Sequence, residues 1–269
     1  MADVDKQFAG SIPELYDRSL VPLIFDGYAR DLAQRVAARA PKQVLEVAAG
    51  TGAATRAMLA RLPADVRITA TDLNQPMLDH AMKRVADPRV AWKQADALAL
   101  PFADRSFDVV VCQFGAMFFP DKVQGYREAR RVLRTNGTYL FNVWDKLADN
   151  EFTDVATQAL ATVFPEDPPR FMARTPHGYY DTSRIRGDLN EAGFNRIELE
   201  TLAQVSRAAS AREVAIALCQ GTPLRNEIEA RDASRLDEAT DAAAAALERR
   251  FGKGAIEGRV QAIVISAAG

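Results

Sequence analysis

The chain has 269 residues, with 34 lysines and arginines against 36 aspartates and glutamates, a formal net charge of −2. So even a balance supplies no general attraction to phosphate backbones or anionic membranes, and the expectation is no nucleic-acid partner. A hydrophobic content of 48% is ordinary for a folded soluble domain, and the chain reads as one domain over residues 1–269. The two cysteines, Cys112 and Cys219, and the two histidines, His80 and His177, stand far apart, which excludes a disulfide framework and a metal-ligand cluster. The amino-terminal residues are charged and carry no secretory core. The longest apolar stretch, 107–120, includes Asp108 and falls short of the roughly 20 residues needed to span a bilayer. A cytoplasmic protein with no membrane partner is expected.

The first signals are helical. Ser11-Ile12-Pro13-Glu14 has the form of a capping box, and from Ile24 to Ala40 apolar residues recur at helical spacing until Pro41. Residues 1–40 are therefore expected to form a helical lid. Short β-rich runs then alternate with helical ones. Val44–Val47, Arg67–Thr71, Val90–Lys93, Phe107–Phe114 and Thr138–Val143 read as strands. Ala53–Leu62, Pro76–Val85 and Lys122–Leu133 read as helices, and no good helix separates the third and fourth strands. This alternation implies parallel βαβ units, and the unbroken Val109-Val110-Val111 suits a strand covered on both faces. Further on, Glu151–Phe164, Ser183–Ala192, Ser210–Gln220 and Ser234–Phe251 read as helices, and Pro165–Pro176 as a proline-rich loop. Arg196–Ala203 and Val260–Ser266 read as strands, with residues 208–257 between them as a helical insert.

The strongest motif is Val44-Leu45-Glu46-Val47-Ala48-Ala49-Gly50-Thr51-Gly52, a turn of small residues between a strand and a helix. Small residues let backbone approach a ligand, and the helix start directs free N–H groups toward it. Asp72 closes the second strand about 20 residues later, where a carboxylate can bind both ribose hydroxyls of an adenosine. That suits NAD and S-adenosylmethionine equally. Thr55, however, stands where the dinucleotide fingerprint has its third glycine. Glu46 would also be awkward beside a pyrophosphate and attractive beside an ammonium and a sulfonium. The reading therefore favours S-adenosylmethionine.

These segments resemble the type 11 class I methyltransferases, which include the ubiquinone and menaquinone C-methyltransferases. The glycine turn is similar to that family's first motif, and Ala70-Thr71-Asp72-Leu73-Asn74 with Met77 to its second. Gln94-Ala95-Asp96-Ala97, Leu100-Pro101-Phe102 and Ser106-Phe107-Asp108 resemble its third and fourth, and Glu128–Arg134 before Asn136-Gly137 the approach to its fifth strand. The likeness covers residues 42–144, the cofactor-binding core; Ala48 and Ala49 stand where the family usually has glycine. It implies a Rossmann-like, doubly wound α/β fold with a seven-stranded, mostly parallel sheet and an antiparallel last strand. It further implies that Glu46, Ala48, Gly50 and Gly52 hold the methionine part of S-adenosylmethionine, that Asp72 binds the ribose, and that Leu73 and Met77 lie against the adenine. Asp96 would accept from the adenine amino group beside the Ala97 amide, and Gln113 would face the methionine ammonium and sulfur. S-adenosylhomocysteine would be the product. From the residues alone, Leu73 and Met77 could equally be core, and Asp96 a loop cap.

The expected activity is methylation of a small-molecule acceptor, at oxygen, nitrogen or carbon. An NAD(P)-dependent oxidoreductase and a non-catalytic S-adenosylmethionine-binding protein are the alternatives. Methyl transfer from a sulfonium depends chiefly on near-attack geometry in a dry site, so no catalytic residue is assigned. His177, Tyr179, Tyr180, Tyr16 and Tyr28 are the candidates should the acceptor need a base, and Phe118 and Phe119 the aromatic candidates for its pocket.

Overall fold

The computed structural model describes residues 12–269, so Ser11 of the capping box and the first eleven residues of the expected lid lie outside the described residues. The described chain opens with α1 (Ile12–Leu15), a π-helix (Tyr16–Phe25) and α2 (Asp26–Ala37). Sequence periodicity anticipates a helix here but gives no sign of the π-helix. Pro22 inside it has no N–H to donate to the preceding turn, and the Asp26 N–H closes the wider ring on the Val21 carbonyl.

The sheet order is β3-β2-β1-β4-β5-β7-β6, comprising β1 (Gln43–Val47), β2 (Arg67–Asp72), β3 (Val90–Gln94), β4 (Phe107–Gln113), β5 (Leu133–Trp144), β6 (Arg196–Ala208) and β7 (Ile256–Ala268). The first five strands pair in parallel, while β7 lies antiparallel between β5 and β6. This is the Rossmann-like sheet the sequence led to. The order reverses beside β1, which puts the switch point, and a ligand crevice, at the carboxyl ends of β1 and β4.

The crossover helices are α3 (Ala53–Arg61), α4 (Gln75–Arg84) and α5 (Lys122–Val132). The remainder is α6 (Glu151–Val163), α7 (Phe171–Arg174), α8 (Thr182–Glu191), α9 (Ala211–Gln220), α10 (Leu224–Asp232) and α11 (Leu236–Phe251). Caps set several starts: Asp121 accepts from the Gln124 N–H, Asp181 from Ser183 and Arg184, and Ser210 from Glu213. The apolar residues divide between the two faces of the sheet. Leu32 and Val36 of α2 and Met58 of α3 bury Val44, Ile68, Val109 and Val111 on one side. Tyr126, Ala129 and Ile185 of α5 and α8 cover Leu45, Val110 and Phe141 on the other. The helices α7 and α10 go unread in the sequence: each is short, and Pro168-Pro169 and Gly221-Thr222-Pro223 before them read as loop punctuation.

The π-helix and α2 are tied to the far edge of the sheet. The Tyr28 hydroxyl in α2 lies 2.9 Å from the Leu202 carbonyl and 3.0 Å from that of Val260, and Ser206 donates to the Leu23 carbonyl at 2.7 Å. Among the described residues no helix is long and apolar enough to cross a membrane, and no group of His, Cys, Asp and Glu is placed to hold a metal ion.

Candidate active site

The turn after β1 is built from left-handed backbone: φ is 56° at Ala48, 56° at Gly50 and 81° at Gly52. For glycine this costs little; for Ala48 it is a strained conformation, tolerated because the neighbours over-determine it. The Ala49 N–H donates to the Thr71 carbonyl at 2.8 Å, and the Gly50 N–H to Asp72 Oδ2 at 2.8 Å. Gly115, after β4, packs so tightly on Ala48 that a methyl group on it would lie 2.4 Å from the Ala48 Cβ.

These turns open a cavity of about 870 Å³, its mouth included, at the carboxyl ends of β1, β2, β3 and β4. Ala48 and Gly50 form part of its wall, with Asp72, Leu73, Met77, Asp96 and Ala97 toward β2 and β3 and Gln113 at the end of β4. Leu73 is 47% exposed, unusual for a leucine with a core within reach, whereas Met77 is buried. Asp72 is also buried; desolvation raises its pKa, opposed by the N–H groups of Asn74 and Gly50. Asp96 does cap its loop, accepting from the Leu98 N–H at 2.9 Å, and still borders the cavity. Gln113 Nε2 donates to the Phe25 carbonyl at 3.1 Å, and its buried Oε1 has no hydrogen-bond partner among the described residues.

Two residues expected at the ligand lie off this wall. Strand alternation puts Glu46 on the face of Val44, under α3, where its carboxylate accepts from Thr55 Oγ1 at 2.5 Å. Burial pushes its pKa up to about 7, against the Thr55 hydrogen bond and the Arg56 charge, with the Asp72 charge adding to the rise. Gly52 is the left-handed cap of α3, and a methyl group there would come within 3.1 Å of the Trp92 ring. Tyr16, Asn74, Phe114 and Gly115, which the sequence did not place at this cavity, line it.

A second cavity of about 560 Å³ adjoins the first, and Tyr16, Phe114 and Phe118 line both. Its wall is largely aromatic and aliphatic. Leu20, Ile24 and Phe25 come from the π-helix, Leu218 and Thr222 from the segment between β6 and β7, and Phe171, Met172 and His177 from the segment following α6. Trp144, at the end of β5, stacks on Phe114 with ring centroids 3.7 Å apart. The π-helix is held over both cavities by Asp17, which contacts Arg56 at 2.9 Å, His80 at 3.2 Å and Arg84 at 3.3 Å. Burial pushes the Asp17 pKa up, but His80 and Arg56 outweigh it and hold the carboxyl below its usual range. Of the remaining candidates, Tyr179 is buried between Tyr126 and Asp188, Tyr28 is spent on the sheet edge, and Tyr180 is exposed; none lines either cavity.

A crevice at the topological switch point, flanked by two carboxylates and entered by a turn lacking the third dinucleotide glycine, suits a nucleoside with a cationic tail. That defines the Rossmann-like methyltransferases as the class. Residues 44–137 match the family model described as a methyltransferase domain. The chain is 36% identical over 138 residues to a demethylmenaquinone methyltransferase of Deinococcus radiodurans, spanning 50% of this chain and 57% of that relative's length. It is 30% identical over 181 residues to a ubiquinone/menaquinone biosynthesis C-methyltransferase of Paracoccus denitrificans, covering 62% of this chain and 72% of the relative. Among solved structures, a Haemonchus contortus phosphoethanolamine N-methyltransferase in complex with S-adenosylhomocysteine shares the fold at a TM-score of 0.62 and 15% identity, over 98% of this chain and 59% of that one. The chain belongs to the S-adenosylmethionine-dependent methyltransferases.

Proposed function

We propose that the protein transfers the methyl group of S-adenosylmethionine to a small, flat, largely apolar acceptor. The observation that carries this reading is the pairing of two adjoining cavities, one bordered by Asp72, Asp96 and Gln113 and one largely aromatic and aliphatic, which share Tyr16, Phe114 and Phe118. In the first cavity Asp72 accepts from the ribose, Leu73 and Met77 cover the adenine, and Asp96 with the Ala97 amide reads its edge. Ala48 and Gly50 give the tail close backbone approach. The unpartnered Gln113 Oε1 supports a cationic occupant, since an ammonium would satisfy that buried acceptor. Glu46 and Gly52 act one layer out, holding α3 against the turn.

S-adenosylmethionine supplies an electrophilic methyl group on a sulfonium when bound. The chain's own residues hold the acceptor in line with it and keep water out. Two of the relatives named above are, by name, a demethylmenaquinone methyltransferase and a ubiquinone/menaquinone biosynthesis C-methyltransferase, and the aromatic second cavity supports a planar, apolar acceptor of the quinone kind. The π-helix and the segment between β6 and β7 both contribute to that wall, so they form the cover that selects the acceptor; because the Phe25 carbonyl also orients Gln113, closing the cover and binding the cofactor are coupled. Calorimetric titration with S-adenosylhomocysteine, followed by transfer of labelled methyl from S-adenosylmethionine to a panel of quinols and naphthols, tests the proposal. Absence of S-adenosylhomocysteine binding at millimolar ligand would overturn it.

A further inference from the structure

We propose that His177 selects the acceptor, its Nε2 accepting a hydrogen bond from a hydroxyl on the flat, apolar molecule in the second cavity. This rests on the methyl-transfer reading above and deepens it. His177 is 5% exposed and lines that cavity with Phe118, Phe171, Met172 and Trp144. Its Nδ1 lies 2.8 Å from the Asp145 carbonyl oxygen, which can only accept, so Nδ1 carries the hydrogen and Nε2 of the neutral ring is an acceptor. Nε2 makes no hydrogen bond to a described residue.

Two of the neighbouring polar side chains, Asn150 and Thr222, are already engaged, and Thr153 completes the polar part of this wall. Asn150 accepts from the Gln261 N–H at 3.1 Å and donates to the Lys146 carbonyl at 3.1 Å. The Thr222 hydroxyl donates to the Leu218 carbonyl at 2.8 Å and accepts from the Leu224 N–H at 3.1 Å. An unpaired acceptor in so apolar a wall discriminates sharply. An occupant without a donor strips water from Nε2 and returns nothing, whereas a hydroxyl restores the bond. Burial pulls the His177 pKa down to about 4, against the Asp145 carbonyl bond and charge, so the ring stays neutral and accepting at physiological pH. The other titratable side chain on this wall, Tyr16, is held protonated by burial and by the charges of Asp72 and Asp17. The ring walls set the shape: Phe25 and Trp144 lie 5.6 Å apart between centroids, and Phe118 and Phe171 6.4 Å.

The test is calorimetry on protein saturated with S-adenosylhomocysteine, titrated with 1-naphthol and with 1-methylnaphthalene, which replaces the hydroxyl by a methyl group. His177→Leu should lower the naphthol-to-methylnaphthalene affinity ratio about tenfold, the worth of one buried hydrogen bond. His177→Gln, which retains an acceptor oxygen, should keep most of the wild-type ratio. His177→Phe serves as a second acceptor-free variant should the leucine protein fail to fold. A purely structural histidine would lower both affinities together and leave the ratio unmoved, and that result overturns the proposal. If the wild type fails to bind S-adenosylhomocysteine, the methyl-transfer reading falls and this one with it. If it binds and the ratio is unmoved, only the role of His177 falls.

Discussion

Glu46→Gln should flatten the dependence of stability on pH. The Glu46 carboxyl is 1% exposed under α3, and burial raises its pKa from 4.5 to about 7. The unfolded chain loses this proton near pH 4.5, whereas the folded protein holds it until about pH 7. Between those values the folded state binds more protons, so stability falls as pH rises through the window and levels off above it. At 1.36 kcal/mol per tenfold change in proton affinity, the full loss is about 3 kcal/mol, of which about 2.5 kcal/mol falls between pH 5 and pH 8. Glutamine offers Thr55 Oγ1 an acceptor of the same shape and does not titrate. Urea unfolding of both proteins at pH 5 and pH 8 measures the difference. His177 titrates with the opposite sign, its depressed pKa removing stability as pH falls below its unfolded value of 6.5, but it is common to both proteins and cancels in the comparison. Parallel losses in the two proteins would refute the reasoning and show that Glu46 is ionised in the fold at a normal pKa.

Asp72→Ala removes the acceptor of the Gly50 and Asn74 N–H groups together with the proposed ribose partner. Binding of S-adenosylhomocysteine should weaken by about 1.5–3 kcal/mol, or ten- to a hundredfold in Kd by calorimetry. Gly115→Ala would put a methyl group 2.4 Å from the Ala48 Cβ and 2.8 Å from Cys112 Sγ. It should cost about 1–3 kcal/mol of stability, and an unchanged Tm would mean that the turn yields freely. Hydrogen exchange should show residues 16–25 gaining protection with S-adenosylhomocysteine, through Tyr16 and the Phe25–Gln113 contact; protection confined to the Gly50 turn would remove the proposed cover.

The sequence by itself determined the sheet. Strands of the βαβ core announce themselves as short apolar runs, and the glycine turn and Asp72 mark where two of them end, because backbone conformation and strand period are local properties. It also marked Gly50, Asp72, Asp96 and Gln113 on the wall of the first cavity, since each follows or closes a strand, while the family resemblance added Ala48, Leu73, Met77 and Ala97. Side-chain direction was lost. Glu46 looks like a ligand by type and proximity, yet the two-residue period of β1 turns it under α3, where Thr55 holds it. Of the second cavity only single members were legible, Tyr16, Phe118 and His177 as acceptor-side candidates, and not their meeting. Tyr16, Trp144, Phe171 with His177, and Leu218 come from four separate stretches of chain, and nothing in their own windows brings them together. Only the long β6–β7 ladder, with Tyr28 bonded across to its Leu202 and Val260 carbonyls, draws those stretches over the mouth of the sheet. That is a long-range packing outcome, and no local pattern encodes which apolar faces meet.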